Sequence, residues 1–193
     1  CELLYPMRID RQEIAADSMG HGKYHGGPGV DVKMTPTSGA MLCELFGEGQ
    51  SNPPFGAMNG TPGIGGGSYR ENIRSGKRIY YSSKGRMVIE DGEFWAGISS
   101  GGGGYGDPLQ RDPEAVLESL IGGFLSLKST REVYGVVVDA KTMALNIEKT
   151  KALRKKLRAA RKSKAITTPN VPGYATWVKK SLRSGDEYLI DAQ

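Results

Sequence analysis

Two cysteines, Cys1 and Cys43, in 193 residues leave no material for a disulfide framework, and a reducing, cytoplasmic setting fits best. No run of about 18 apolar residues occurs, which argues against a membrane span. Glu2 and Arg8 flank only a short Leu3-Leu4-Tyr5 patch, which argues against a secretory signal in the chain as given. Apolar content is also low, 38%, against roughly 45–50% for average globular domains counted with glycine. The chain carries 28 glycines, so one thin core with much loop is expected. Catalytic signatures are missing too: there is no Ser/His/Asp arrangement, H-E-x-x-H helix, P-loop or Cys-x-x-Cys, and no nucleophile can be named. Cys1 invites comparison with N-terminal nucleophiles, but nothing near it supplies a catalytic partner.

What is present is unevenly distributed. Nine of the 26 Lys and Arg fall between Lys149 and Lys164 with no acid among them, leaving 17 basic against 21 acidic residues elsewhere, a net of −4. Up to about residue 100 the text alternates β-prone runs with Gly and Pro breaks, which predicts strands at residues 7–15, 30–34, 40–46, 78–82, 87–89 and 94–98. Asp91-Gly92 marks the tightest turn, because it tolerates the positive φ angles of a hairpin. From Asp107 the texture changes. Asp112-Pro113-Glu114 reads as a helix start and Gly122-Gly123 as its stop, Ser126 precedes a short helical turn, and residues 134–138 have the β-branched density of a buried strand. Asn146 caps a third, basic helix in which Ile147, Thr150, Leu153, Leu157 and Ala160 recur on one face. A Pro-rich linker and a segment around Trp177 follow. The expectation is an α+β fold: a β-rich body with Gly/Pro-rich loops over residues 1–140, then a basic helix and an extended, partner-docking tail over 141–193.

Residues 17–30, Asp-Ser-Met-Gly-His-Gly-Lys-Tyr-His-Gly-Gly-Pro-Gly-Val, resemble a signature of the hydantoinase B and oxoprolinase family, which also includes the large subunits of acetone and acetophenone carboxylases. Residues 101–109, 111–116 and 131–137 resemble the family's C-terminal block almost letter for letter, and Asn52-Pro53-Pro54-Phe55-Gly56, Gly60-Thr61-Pro62-Gly63 and Ser83-Lys84-Gly85 fall in the family's order between them. The likeness runs from about residue 5 to about residue 158, the last quarter to third of an ordinary family subunit. It implies a split, processed or partial subunit of an ATP-dependent hetero-oligomeric enzyme, not active alone. Its companions would be the remainder of a hydantoinase B-type subunit and a hydantoinase A-type subunit. The reaction implied is hydrolysis of a cyclic amide or carboxylation of a ketone, with a lean to the ketone because a split subunit with a basic tail suits a complex of many subunit types. ATP and a divalent metal would be bound by other chains and none by this one, since the family's metal ligands lie in its N-terminal part. A purely structural subunit is the rival. His25 stands where the family commonly has Arg, which removes any anion contact made by that Arg.

Three groups of residues invite chemistry. Gly101, Gly103 and Gly106 satisfy G-x-G-x-x-G, but Asp107-Pro108 follows where a phosphate-binding loop would open into a helix. Gly101, Gly102, Gly103, Gly104 and Gly106 are therefore read as a structural loop that lets backbones pass closely. His21 and His25 sit among glycines, not on a helix, and with Asp17 alone they make a poor metal set, so no metal is assigned to them. The basic helix lacks the interleaved aromatics and reading module of a nucleic-acid binder, and its expected use is to dock its apolar face on a partner with the cationic face solvated or against an acidic surface. Asp17, Arg8 and Arg70 are the candidates for lining a substrate cavity shared with other parts of the enzyme.

Overall fold

The computed structural model describes residues 2–50, 52–81 and 84–161; the expected linker and the segment around Trp177 lie outside them. Seven strands, β1 (Met7–Ile14), β2 (Val30–Pro36), β3 (Met41–Phe46), β4 (Gly67–Asn72), β5 (Arg78–Tyr81), β6 (Lys84–Ile89) and β7 (Glu93–Ile98), precede three helices, α1 (Pro113–Ile121), α2 (Leu127–Glu132) and α3 (Ile147–Ala160). Five strands form an antiparallel sheet in the order β1-β2-β7-β4-β5, and β3 pairs with β6 as a separate ribbon. The fold is α+β, as the sequence predicts.

Each strand predicted before residue 100 is present, and β4 is an addition. Its text, Gly-Ser-Tyr-Arg-Glu-Asn, carries almost no β-prone residue, yet β4 runs between β5 and β7. Register explains its placement. Tyr69 pairs with Ala96 and Tyr80, which builds an aromatic cluster with Phe94 on one face of the sheet. Among the described residues cations, not a helix, lie over this cluster. The Lys33 ammonium lies 3.8 Å from the Phe94 ring centre and the Arg78 guanidinium 4.7 Å from that of Tyr69. The opposite face bears Val30, Val32, Ser68, Trp95 and Gly97, on which the indole of Trp95 lies, since a Cβ at Gly97 would sit 2.4 Å from it. At the Asp91-Gly92 turn, Gly92 has φ +79° and Glu93 N–H donates to the Glu90 carbonyl at 3.1 Å.

The helical part is set by its caps. The carboxylate of Asp112, the hydroxyl of Ser126 and the side-chain oxygen of Asn146 accept from backbone N–H groups of Glu114, Ser129 and Lys149, at 3.1, 3.1 and 2.9 Å. Met19, Val116, Leu125, Val133, Tyr134 and Val136 form the core under these helices. The predicted strand at 134–138 is not one. Val136 N–H donates to Thr130 O and Val137 N–H to Thr150 Oγ1, and only Val138 makes a β-bridge, to Leu145. Its β-branched residues reflect burial, not sheet pairing.

The cationic face of α3 is also corrected at three positions. Arg154 donates to the carbonyls of Tyr134 (3.0 Å) and Arg111 (2.7 Å), Arg158 to that of Leu109 (3.0 Å), and Arg161 to that of Val133 (2.9 Å) and the carboxylate of Asp107 (3.0 Å). These arginines hold α3 on its own chain, whereas Lys149, Lys151, Lys155 and Lys156 remain exposed.

Candidate functional site

Residues 18–27, 54–64 and 101–106 meet at a junction built almost wholly of main chain. Gly20 N–H donates to Gly102 O (2.7 Å), Thr61 to His21 O (2.7 Å), Gly104 to Thr61 O (3.0 Å), Ile64 to Ser18 O (2.8 Å) and Gly101 to Ile64 O (3.2 Å). Segments this close leave no room for side chains. A Cβ would lie 1.9 Å from Phe55 O at Gly103, 2.0 Å from Ser18 O at Gly101 and 2.2 Å from His21 O at Gly104. Gly102 is less confined, with Gly27 N at 3.0 Å, and Gly106 has φ +79°.

The same bonds bear on the G-x-G-x-x-G pattern. A phosphate cradle needs backbone N–H groups that face the ligand. Here those of Gly101, Gly102, Gly104, Tyr105 and Gly106 already donate to carbonyls of the other two segments. The loop then enters a single 3-10 turn, Pro108–Gln110, and α1 starts only at Pro113.

Beside the junction lies a buried polar cluster. Asp17 takes φ +59°, its N–H donates to Phe124 O (2.9 Å) and its carboxylate accepts from Ser126 N–H (3.0 Å), so it ties the glycine segment to the start of α2. The fully buried His21 ring places Nδ1 3.1 Å from the Tyr134 hydroxyl, with the two rings edge to face at 5.4 Å. Its Nε2 is buried without a partner. Burial lowers the His21 pKa to about 4 and pushes that of the Tyr134 phenol up. The imidazole is therefore neutral at physiological pH.

His25 is held elsewhere. Its Nδ1 is 2.8 Å from Gly26 O, its Nε2 is 3.4 Å from Ser119 Oγ, and its ring stacks on Phe124 at 6.3 Å. Burial lowers its pKa, and the neighbouring Arg111 pushes it further in the same direction. Arg111 donates to Ser119 Oγ (3.2 Å) and Lys23 O (3.2 Å), so an arginine from outside the glycine motif stands beside His25. Among the described residues, no three His, Cys, Asp or Glu side chains converge as metal ligands.

The candidates Asp17, Arg8 and Arg70 have three separate sets of partners. Arg8 is exposed on β1 and pairs with Asp10 at 2.6 Å. Arg70, on β4, donates to Val88 O (2.7 Å) and pairs with Glu93 (3.0 Å), linking the sheet to the β3–β6 ribbon. None of the three lines the cavity of about 420 Å³ between the end of β3 and the sheet. Its apolar wall includes Val30, Val32, Leu45, Phe46 and Trp95, and Glu48, Gln50, Ser68, Ser99 and Ser100 are its polar points. Sequence reasoning did not find Tyr134, Trp95 or the three arginines of α3. Only the arginines left a signal: Arg154, Arg158 and Arg161 recur at four- and three-residue steps, one helical face, where neighbouring cations are mostly lysines.

Among the described residues no helix is long and apolar enough to cross a membrane. Two solved structures share the fold. Nucleotide-free acetone carboxylase superposes with a TM-score of 0.70 at 25% identity, over 86% of this chain and 26% of that one. The ATP-dependent caprolactamase of Pseudomonas jessenii gives 0.66 at 28% identity, over 80% and 27%. In sequence, the chain is 34% identical to the caprolactamase subunit beta of P. jessenii over 72% of its own length and 24% of that subunit. It is 28% identical to the acetone carboxylase alpha subunit of Xanthobacter autotrophicus over 71% and 22%. The chain thus spans about a quarter of the length of these relatives. Residues 1–108 match the hydantoinase B/oxoprolinase family, and the chain belongs to that family.

Proposed function

We propose that this chain works as one segment of a cytoplasmic, ATP-dependent, multisubunit enzyme of the hydantoinase B type, with scaffold and cavity wall as its own share. The observation that carries the reading is the shared fold with acetone carboxylase and ATP-dependent caprolactamase, in each of which it corresponds to about a quarter of a longer chain. In this reading the β-rich part, residues 1–140, completes the larger subunit, and residues 141–193 supply a basic helix and a docking tail. The companions are the remainder of a hydantoinase B-type subunit and a hydantoinase A-type subunit.

ATP and a divalent metal belong to those other chains. The residues here do not fit the metal, because His21 and His25 spend their Nδ1 atoms on Tyr134 and Gly26 and no third ligand joins them among the described residues. Nor do they fit a nucleotide phosphate, since the amides of Gly101, Gly102, Gly104, Tyr105 and Gly106 are already bonded. No reaction step is therefore assigned to a side chain of this protein. The lean toward ketone carboxylation gains nothing from the comparisons: the caprolactamase subunit is the more similar in sequence and acetone carboxylase the more similar in fold. Cyclic amide hydrolysis stands beside it.

ATP turnover by the purified native complex tests the proposal. ATP hydrolysis that requires bicarbonate and a ketone marks a carboxylase, and hydrolysis that requires a lactam, hydantoin or 5-oxoproline marks an amidohydrolase. A complex that turns over neither, or that keeps full activity after this chain is removed, overturns the assignment.

A further inference from the structure

In the β3–β6 ribbon Leu42 pairs with Val88, Glu44 with Arg86 and Phe46 with Lys84. Side chains alternate across a strand, so these six share one face, and Met41, Cys43, Leu45, Met87 and Ile89 share the other. The second face is turned inward, with Met87 and Ile89 3% and 0% exposed. The first is open: Phe46 is 82% exposed, Leu42 61% and Val88 40%. A ribbon apolar on both faces has the pattern of strands buried between two layers, and only the inner layer exists among the described residues. The charges at the centre of the open face neutralise each other, Arg86 bonding Glu44 at 2.7 Å. The face also runs into the cavity, whose wall includes Leu45 and Phe46 together with Val30, Val32 and Trp95.

We propose that the Leu42–Phe46–Val88 face is where the remainder of a hydantoinase B-type polypeptide packs, an apolar segment of it lying along the ribbon and seating a side chain in the cavity beside Phe46. The occupant follows from length. The same fold makes up 26% and 27% of the two solved chains, so in each the equivalent surface belongs to a polypeptide about four times as large. Neutral charge at the centre of the face suits an apolar partner, not an ionic one. The inference rests on the functional reading above and adds the surface through which it is realised.

The affinity-tagged, full-length chain, expressed in the cells it comes from, provides the test, with mass spectrometry identifying any hydantoinase B-type polypeptide that it retains. The wild type and Ile121→Lys, a change at a 64% exposed position on α1, should retain that polypeptide. Phe46→Glu, the milder Phe46→Ser and the pair Leu42→Lys/Val88→Lys should retain it at least about tenfold less, with an unchanged urea midpoint. Wild-type retention by all three variants overturns the surface. A wild type that retains no such polypeptide overturns the functional reading instead. A wild type that holds a second copy of itself through Phe46 makes the face a homotypic interface, which also overturns the proposal.

Discussion

In the five-stranded sheet, strands about 4.8 Å apart are held by their ladder, and their faces are finished by side chains: Tyr69, Tyr80 and Phe94 on one, Trp95, Val30 and Val32 on the other. At the glycine junction, residues 18–27, 54–64 and 101–106 meet without that intermediary, carbonyl against Cα, and their cohesion is the hydrogen bonding between them. The sheet can absorb a changed side chain by repacking rotamers. The junction cannot, because the group in the way is another backbone. The glycines at these positions therefore answer a steric demand more than a chemical one.

The largest effect that would break this contrast is at Gly103. Gly103→Ala sets a methyl group 1.9 Å from Phe55 O and should destabilise the chain by about 3 kcal/mol or more, read from urea unfolding followed by circular dichroism. A loss below 1 kcal/mol would mean that the junction is as adaptable as the sheet.

Acid should act next, through His21. Its folded pKa of about 4 lies below the ordinary 6.5, so between those values the unfolded chain binds the proton that the folded chain refuses. Stability is complete above about pH 6.5 and falls as the pH drops toward 4, by up to about 3 kcal/mol. Urea midpoints at pH 7.5, 5.5 and 4.5 measure this, and His21→Gln should flatten the profile.

Arg154→Met keeps the aliphatic stem but leaves the carbonyls of Tyr134 and Arg111 without their donor. It should cost about 1–3 kcal/mol and speed amide hydrogen exchange in α3 ahead of the sheet. Equal exchange in variant and wild type would show that packing at Leu157 and Gly135 holds the helix instead.

The smallest effect sharpens the contrast most. Gly27 adjoins Gly26 in the same motif, yet a Cβ there meets nothing within 4 Å, whereas at Gly26 it would lie 2.2 Å from Gly102 O. Gly27→Ala should therefore fall within about 0.5 kcal/mol of wild type and Gly26→Ala far outside it. Matching midpoints for the two would show that position in the motif, not steric crowding, governs tolerance.

Much of this fold is legible in the sequence, for reasons particular to each element. Asp112, Ser126 and Asn146 act locally, so their helices can be read from the text alone. β4 cannot, because Ser, Arg, Glu and Asn make a strand there only through the neighbours that β5 and β7 supply. Residues 134–138 mislead in the opposite direction, since burial and sheet pairing call for the same β-branched residues. His21 was visible as a candidate, but its partner Tyr134 lies 113 positions away. That pairing is a product of the junction, which brings residue 21 beneath the helices.

The spacing of the junction's segments also bears on how the chain folds. Closure requires three glycine-rich stretches to meet across gaps of roughly 26 and 36 residues, and glycine gives up more backbone freedom than any other residue when it is fixed. Local units such as the β4–β5 hairpin and the capped helices face no such barrier and can form first. If the junction shuts late, weakening it should speed unfolding while leaving the rate of refolding nearly untouched, which stopped-flow kinetics of Gly103→Ala would read. The part of the molecule with the least chemistry of its own would then set how long the whole stays folded.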